Sequence, residues 1–221
     1  MSKVTPGGLG AFRGKTGNVV IIKWRKKLYG KAAPRKSTKE PKLEQRVQRA
    51  KFKTVISHVS IFSDAIAIGW QKKTGSLTPM NRAMQYAFKN AVIGEYPNFE
   101  LDHSKILLSK PQVKFAIEEV YTLAAVAITG GLITVSWSNL PFATSTDTAR
   151  TDRLYAVFFN TTTGYAFSEG FRSVDRASLS CTYRFEKRYA GNQIHGYVFF
   201  VSEDGLRTSI SQFLPPVTLL A

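Results

Sequence analysis

Cysteine is almost missing from this chain: Cys181 is the single one among 221 residues. One thiol closes no intrachain disulfide, so a disulfide scaffold is excluded and stability has to come from an apolar core. Cys181 lies in the alternating stretch Ser178-Leu-Ser-Cys-Thr-Tyr-Arg-Phe185. It reads as a small residue of a strand and fits a reducing compartment. Long hydrophobic runs are missing too. No window approaches about 18 uninterrupted apolar residues, so no membrane span is expected. The opening Met1-Ser-Lys-Val-Thr-Pro-Gly-Gly has no apolar h-region. Residence in the cytoplasm, or incorporation into a particle assembled there, is therefore expected.

Catalytic signatures are equally sparse. Gly8-Leu-Gly-Ala-Phe-Arg-Gly14-Lys15-Thr16 ends like a phosphate-binding loop, but Leu9 stands where the first glycine belongs. Such a loop follows a buried strand and opens a helix. Here the β-branched stretch Asn18–Trp24 follows, which suits a strand. The three histidines, His58, His103 and His195, are far apart in sequence and none sits in an HExxH or Cys/His pair. His58 reads as a helix residue, His103 as a loop residue and His195 as the start of a strand. Glu118-Glu119 reads as a solvated turn. Asp147 to Asp152 lacks the glycine and glutamate of a calcium loop. Gly-x-Ser-x-Gly does not occur, so a nucleophile elbow is unsupported. No cofactor and no metal are implied, and a non-enzyme is expected. A hydrolase with a dispersed site would require His103 or His195 beside a carboxylate in a pocket.

What the chain does have is positive charge in one place. Residues 1–60 hold 16 Lys+Arg and two acids, a net of +14, out of a total of +16. Such asymmetry points to a polyanionic partner: nucleic acid, an anionic membrane surface or an acidic protein. Hydrophobic residues are 43%, enough for a real core.

Three sections follow along the chain. Residues 1–38 are punctuated by Gly7, Gly8, Gly10, Gly14 and Gly17, then carry the strand Asn18–Trp24, the run Arg25-Lys26-Lys27 and a returning strand at Leu28-Tyr29. This reads as a glycine-hinged basic β-hairpin arm. Residues 39–100 read as two helices. The stretch from Lys42 to about Ile68 has no Pro or Gly. Lys42, Arg46, Arg49 and Lys53, spaced i, i+4, i+7, i+11, fall within about a sixth of the circumference. Phe52, Val55, Ile56, Val59 and Phe62 are expected to be buried on another face. The second helix starts at Thr78-Pro79, an N-cap with Pro at N1. Met80, Ala83, Met84, Ala87, Phe88, Ala91 and Val92 form its apolar face, and Gly94 is read as its stop. Residues 101–221 read as β, with strands at Lys105–Leu108, Leu123–Thr129, Leu132–Trp137, Arg153–Asn160, Leu179–Phe185, His195–Ser202 and Thr208–Leu214. Seven short strands separated by turn residues point to a sandwich. The fold class is α+β: a basic β-hairpin arm and two helices, then an antiparallel β-sandwich. The spacing leaves open whether the helical and β sections share one core.

Binding residues follow from the charge map. Lys15, Lys23, Trp24, Arg25, Lys26, Lys27 and Tyr29 interleave cations with aromatics on the arm. Lys42, Arg46, Arg49 and Lys53 stripe the first helix. Cations neutralise phosphates or carboxylates, and Trp or Tyr stacks on a base or packs on a sugar. Trp24 is equally well a core residue of its strand. Any nucleic-acid contact is expected to be sequence-nonspecific, because no base-reading motif is present.

Two resemblances add to this reading. The order Ile133-Thr-Val-Ser-Trp137, Tyr155-Ala-Val-Phe-Phe159, Gly196-Tyr-Val-Phe-Phe-Val201 and Ser209-Ile-Ser resembles a fibronectin type III or related immunoglobulin-like domain. It implies Trp137 as the core tryptophan and a domain that binds or spaces rather than catalyses. Gly10-x-x-x-Gly14-Lys-x-Gly17-x-Val19-Val, then Trp24, Tyr29 and Pro41-x-x-x-Gln45-Arg46-x-Gln48-Arg49-x-x-Phe52, resembles the opening of an uncharacterised basic family of Bacteroidota. Related openings occur in prophage-like proteins that look structural. Thr78-x-x-Asn81, Tyr96-Pro97, Asp102-x-Ser104-Lys105 and Ser-Glu-Asp-Gly at 202–205 extend it along the chain. Ile21-Ile22-Lys23 departs from the small residues of the relatives, and Lys39-Glu-Pro-Lys42 from their Asn-Pro-Arg type of string. The resemblance implies no activity. The leading expectation is a structural or assembly protein that forms a homo-oligomer or larger assembly. DNA or RNA binding by the same cations is the alternative.

Overall fold

Two strands of the C-terminal half are apolar at nearly every position, and this sets the architecture. β9 (Arg153–Asn160) runs RLYAVFFN and β12 (Gln193–Val201) runs QIHGYVFFV. Strands with one wet face alternate; a strand buried on both faces need not. A computed structural model describes residues 2–4, 14–24, 27–35, 39–71, 77–111, 122–138, 150–169 and 174–221 of the chain, and in it β9 and β12 pair antiparallel through the middle of a sheet. Glu118-Glu119 and residues 147–149 of the acidic stretch lie outside the described residues.

The chain divides into two units, Met1–Leu43 and Glu44–Ala221. In the second, seven described strands form a sandwich. One sheet has the order β10 (Tyr165–Glu169), β9, β12, β13 (Gln212–Thr218); the other has β11 (Ser180–Arg184), β8 (Leu132–Ser138), β7 (Thr122–Ile128). All pairings are antiparallel. This is an α+β fold with an immunoglobulin-like sandwich. Between the two sheets lie Ile133, Val135, Trp137, Leu154, Ala156, Phe158, Tyr183, Val198 and Phe200. Trp137 is the core tryptophan: its ring meets Phe200 edge-on at 5.7 Å and its Nε1 donates to the Arg176 carbonyl at 3.0 Å. Cys181 is buried on β11 with a free thiol.

The other face of β9 and β12 is covered by helices. Tyr155, Val157, Phe159, Tyr197, Phe199 and Val201 share a second core with Val55, Val59, Phe62, Ile66, Trp70, Ala83 and Ala87. Sections 39–100 and 101–221 therefore share one core, built on the two faces of a single sheet. Among the described residues, no helix is long and apolar enough to cross a membrane.

The helices differ in detail from the sequence expectation. The first is broken: α1 (Leu43–Val59), a 3-10 turn at Ser60–Phe62, then α2 (Ser63–Gly69). Hydroxyls compete with the helical ladder here, since Ser57 Oγ donates to Thr54 O and Ser60 Oγ to Ser57 O. α3 spans Pro79–Asn90, with Thr78 capping the Asn81 amide as its sequence implies. Gly94 does not end it. The helix closes at Ala91, and Gly94 sits inside a hairpin of β5 (Val92–Glu95) and β6 (Asn98–Leu101) that the sequence reading missed. Its φ is +83° and an added Cβ would meet the Asn98 carbonyl at 2.6 Å, so the glycine serves the hairpin. A cis Tyr96-Pro97 bond lies at its turn.

The strand expected at Lys105–Leu108 is also absent. A 3-10 turn occupies His103–Lys105, and long-range bonds outside any strand ladder hold the segment beyond it. Leu108 N donates to Ser211 Oγ at 2.8 Å, Ser109 Oγ donates to Ser209 O at 2.6 Å, and Lys110 N donates to Gly69 O at 3.1 Å. These bonds also delay the last strand, which begins at Gln212 rather than Thr208. Gly69 permits this close approach of α2, because a Cβ there would fall 2.6 Å from Ser109 Cα and against the Leu108 carbonyl. Gly69→Ala is expected to destabilise the chain by about 1–3 kcal/mol, as overpacking against backbone does. A thermal melt followed by circular dichroism checks it; an unchanged midpoint contradicts the packing described.

Candidate functional site

The first unit is a sheet of the order β1 (Ser2–Val4), β4 (Lys27–Ala32), β3 (Val19–Trp24), β2 (Gly14–Thr16). The arm is thus a hairpin of β3 and β4 with short flanking strands. Register assigns the residues to faces, since directly opposed residues of antiparallel strands point the same way. Lys15 opposes Val20, Val20 opposes Lys31, and Ile22 opposes Tyr29. With Lys27, this places Lys15, Lys27, Lys31 and Tyr29 on one face. Val19, Ile21, Lys23, Leu28 and Ala32 take the other. Lys23 is therefore separated from the other sequence-predicted lysines. Trp24 closes β3, paired with Lys27. Arg25 and Lys26 lie outside the described residues.

None of the described side chains of this sheet is buried. Val19 is 46% exposed, while Val20, Ile21, Ile22, Leu28 and Tyr29 are half-buried. A sheet with an apolar face ordinarily packs that face against something.

Of the cationic stripe, Arg46, Arg49 and Lys53 are exposed on α1 in the second unit, and Lys42 is exposed at the end of the first. Beside the stripe the expected burial fails for two residues. Val55, Val59 and Phe62 are buried, but Phe52 is 50% and Ile56 40% exposed. Helical geometry explains it. Val55, Val59 and Phe62 lie on the arc toward β9 and β12, while Phe52 and Ile56, one turn apart, sit on the adjacent arc toward α3. Phe52, Ile56, Leu77, Met80, Met84 and Phe88 line an open groove of about 640 Å³. Arg49 and Lys53 line an adjacent pocket that shares Phe52, Ile56 and Phe88 with the groove, and Lys89 lines the groove on its α3 side.

The histidines are the largest surprise. Read as distant, they meet. His103 lies 4.7 Å from His58 and 4.7 Å from His195, ring centre to ring centre and edge-on in both cases. His58 comes from α1, His103 from the 3-10 turn after β6, and His195 from β12, where it opposes Phe159. Phe159 stacks on His103 at 5.5 Å and meets His58 at 4.8 Å. One nitrogen of each ring, His58 Nε2, His103 Nδ1 and His195 Nδ1, is buried with no hydrogen-bond partner. Burial holds His58 down to about 4 from 6.5, with His103 and His195 adding repulsion. Burial also lowers His103, against the opposing pull of Asp102, and lowers His195. No triad is assembled here: the Asp102 carboxylate accepts from Ser104 N at 3.0 Å and Ser104 Oγ at 2.6 Å, and pairs with Lys105 at 3.1 Å. Among the described residues no group of three His, Cys, Asp or Glu side chains converges as a metal site. Sequence reasoning missed this cluster because its contacts span 45 and 92 positions of chain, and only the fold brings them together.

No curated protein matches the chain. Among solved structures, the fn3 domain of human collagen alpha-1(XX) chain is similar at 13% identity and a TM-score of 0.36, over 50% of this chain and 92% of that one. A myokine structure is similar at 13% identity and a TM-score of 0.31, over 48% of this chain and 98% of that one. The FN1-FN3 domains of chicken CNTN1 are similar at 12% identity and a TM-score of 0.29; this chain covers 33% of their length. The model of a family of unknown function (DUF6266) matches residues 11–215, from the basic arm to the last strand, and the chain belongs to that family.

Proposed function

We propose that this protein is a non-enzymatic structural or assembly protein that docks through its basic N-terminal arm on an acidic partner or a neighbouring subunit. The observation that carries this reading is the arm sheet, whose described side chains are all unburied although Val19, Ile21 and Leu28 share a face. Ordering a sheet costs conformational entropy that only burial offsets. A second surface, supplied by another molecule, provides that burial. The arm also offers backbone: among the described residues β1 and β2 are the edge strands of its sheet, and an edge strand is a natural place for β-augmentation between subunits. The apolar groove between α1 and α3, with Arg49, Lys53 and Lys89 around it, suits an apolar segment flanked by acids. The resemblance of the opening to prophage-like proteins implies a phage-like, particle- or filament-forming setting.

The second reading is a sequence-nonspecific nucleic-acid-binding protein. Lys15, Lys27 and Lys31 on one face with Tyr29, and the exposed Arg46, Arg49 and Lys53, favour it.

Two measurements test these readings. The described core lies within residues 44–221, so a chain beginning at residue 39 keeps every described buried residue. Sedimentation velocity over a concentration series is expected to show large particles for the full chain and a monomer for the shortened one. A monomeric full chain at all concentrations overturns the assembly reading. Anisotropy of labelled DNA across a salt series tests the alternative. Nucleic-acid binding requires an affinity that falls by orders of magnitude between about 50 and 200 mM salt, and a weaker slope in the Arg46→Glu, Arg49→Glu, Lys53→Glu variant. No binding at moderate salt removes it.

A further inference from the structure

The three histidines form a row rather than a cup. His103 stands in the middle, in edge-on contact with both His58 and His195, and no ring contact joins the two end members. One ion has no common point to occupy in such a row. What the row does is join layers. His58 belongs to α1, whereas His195 belongs to β12, whose Ile194, Val198 and Phe200 hold the sandwich core. Aromatic rings seal it: Phe62 at 5.7 Å from His58, Phe159 beside His58 and His103, and Phe213 at 5.5 Å from His195.

The charged and titratable groups around the row are few. Glu100 lines the cleft beside His58 and His103. Asp102 is next to His103 but already engaged by Ser104 and Lys105. Tyr197 faces it from β12 and donates its hydroxyl to the His103 carbonyl at 3.1 Å. Burial raises the Tyr197 phenol, so it stays neutral. On α1, Lys51 is turned over the Phe99 ring at 5.1 Å. Phe159 of β9 and Phe213 of β13 bring no charge. Protonating two neighbours in this row sets like charges about 5 Å apart among phenylalanines, with one committed carboxylate and Glu100 to offset them.

We propose that this histidine row is an acid-sensitive latch, which holds α1 against the β9–β12 face while the imidazoles are neutral and releases it when they are protonated. The sign follows from linkage. Each of the three histidines has its folded pKa below the unfolded value, so the folded state binds fewer protons. The stability they confer is complete above about 6.5 and is lost as pH falls toward about 4, the folded value of His58. This inference does not depend on the docking reading, since it concerns one chain.

Hydrogen exchange on the full chain at about pH 7.5 and about pH 5, corrected for intrinsic exchange, tests it. Peptides across Leu43–Val59 are expected to lose about tenfold or more of their protection at the lower pH, while peptides from β8 and β11 keep theirs. His58→Phe removes the proton acceptor that burial holds lowest yet keeps a ring beside Phe62 and Phe159, and is expected to abolish most of the loss. Should that variant fail to fold, the imidazole NMR titration of the unaltered chain decides. Three resonances with midpoints below about 6 support the latch, and ordinary midpoints near 6.5 overturn it. Unchanged α1 protection at about pH 5 overturns it as well. So does added zinc that protects α1 at about pH 7.5, which makes the row a metal site instead.

Discussion

The structure depends on one sheet being dry on both sides. β9 and β12 present Leu154, Ala156, Phe158, Val198 and Phe200 to the second sheet, and Tyr155, Val157, Phe159, Tyr197, Phe199 and Val201 to the helices. Neither the helical section nor the sandwich can then be described alone. α1 and α2 bury Val55, Val59, Phe62 and Ile66 in the core that this sheet shares with α3. The serine staple at Ser109, Ser209 and Ser211 and the close approach at Gly69 hold the following segment to the same body. The histidine row arises on the same face, where His195 follows the sheet's alternation into the helical layer.

Much of this fold is legible in the sequence. Strand periodicity and turn residues locate β7, β8, β9, β11 and β12 closely, and Thr78-Pro79 marks the start of α3. Where the reading fails, a long-range partner decides. Lys105–Leu108 has a strand-like composition, but Lys105 N and Ile106 N bond back to Asp102 O and His103 O, and Leu108 N goes to the Ser211 hydroxyl a hundred positions away. Gly94 has the residue type of a helix stop, yet it serves a hairpin whose partner strand is Asn98–Leu101. The continuous apolar runs of β9 and β12 carry the signal for a third layer, since a plain sandwich with one wet face calls for alternation.

The candidate site is legible in a different measure. Charge is read directly from composition, and the exposed Arg46, Arg49 and Lys53 lie where helical spacing puts them. The faces of the arm need register, which separates Lys23 from Lys15, Lys27 and Lys31. The groove needs tertiary packing, because Phe52 and Ile56 have the same residue character as the buried Val55 and Val59. The histidine row needs the whole topology. It joins a helix, a turn and a strand that local patterns treat separately.

The central claim is that helices and sandwich form one body through the β9–β12 sheet. Fluorotryptophan labelling of the full chain tests it most directly, with Trp70 reporting the helical core and Trp137 the core between the sheets. In a urea titration followed by fluorine NMR, the Trp70 and Trp137 signals should convert to their unfolded positions at one midpoint and with one slope. Trp70 melting at lower urea while Trp137 keeps its folded signal would contradict the account, and would make the helical layer an appendage of an independent sandwich.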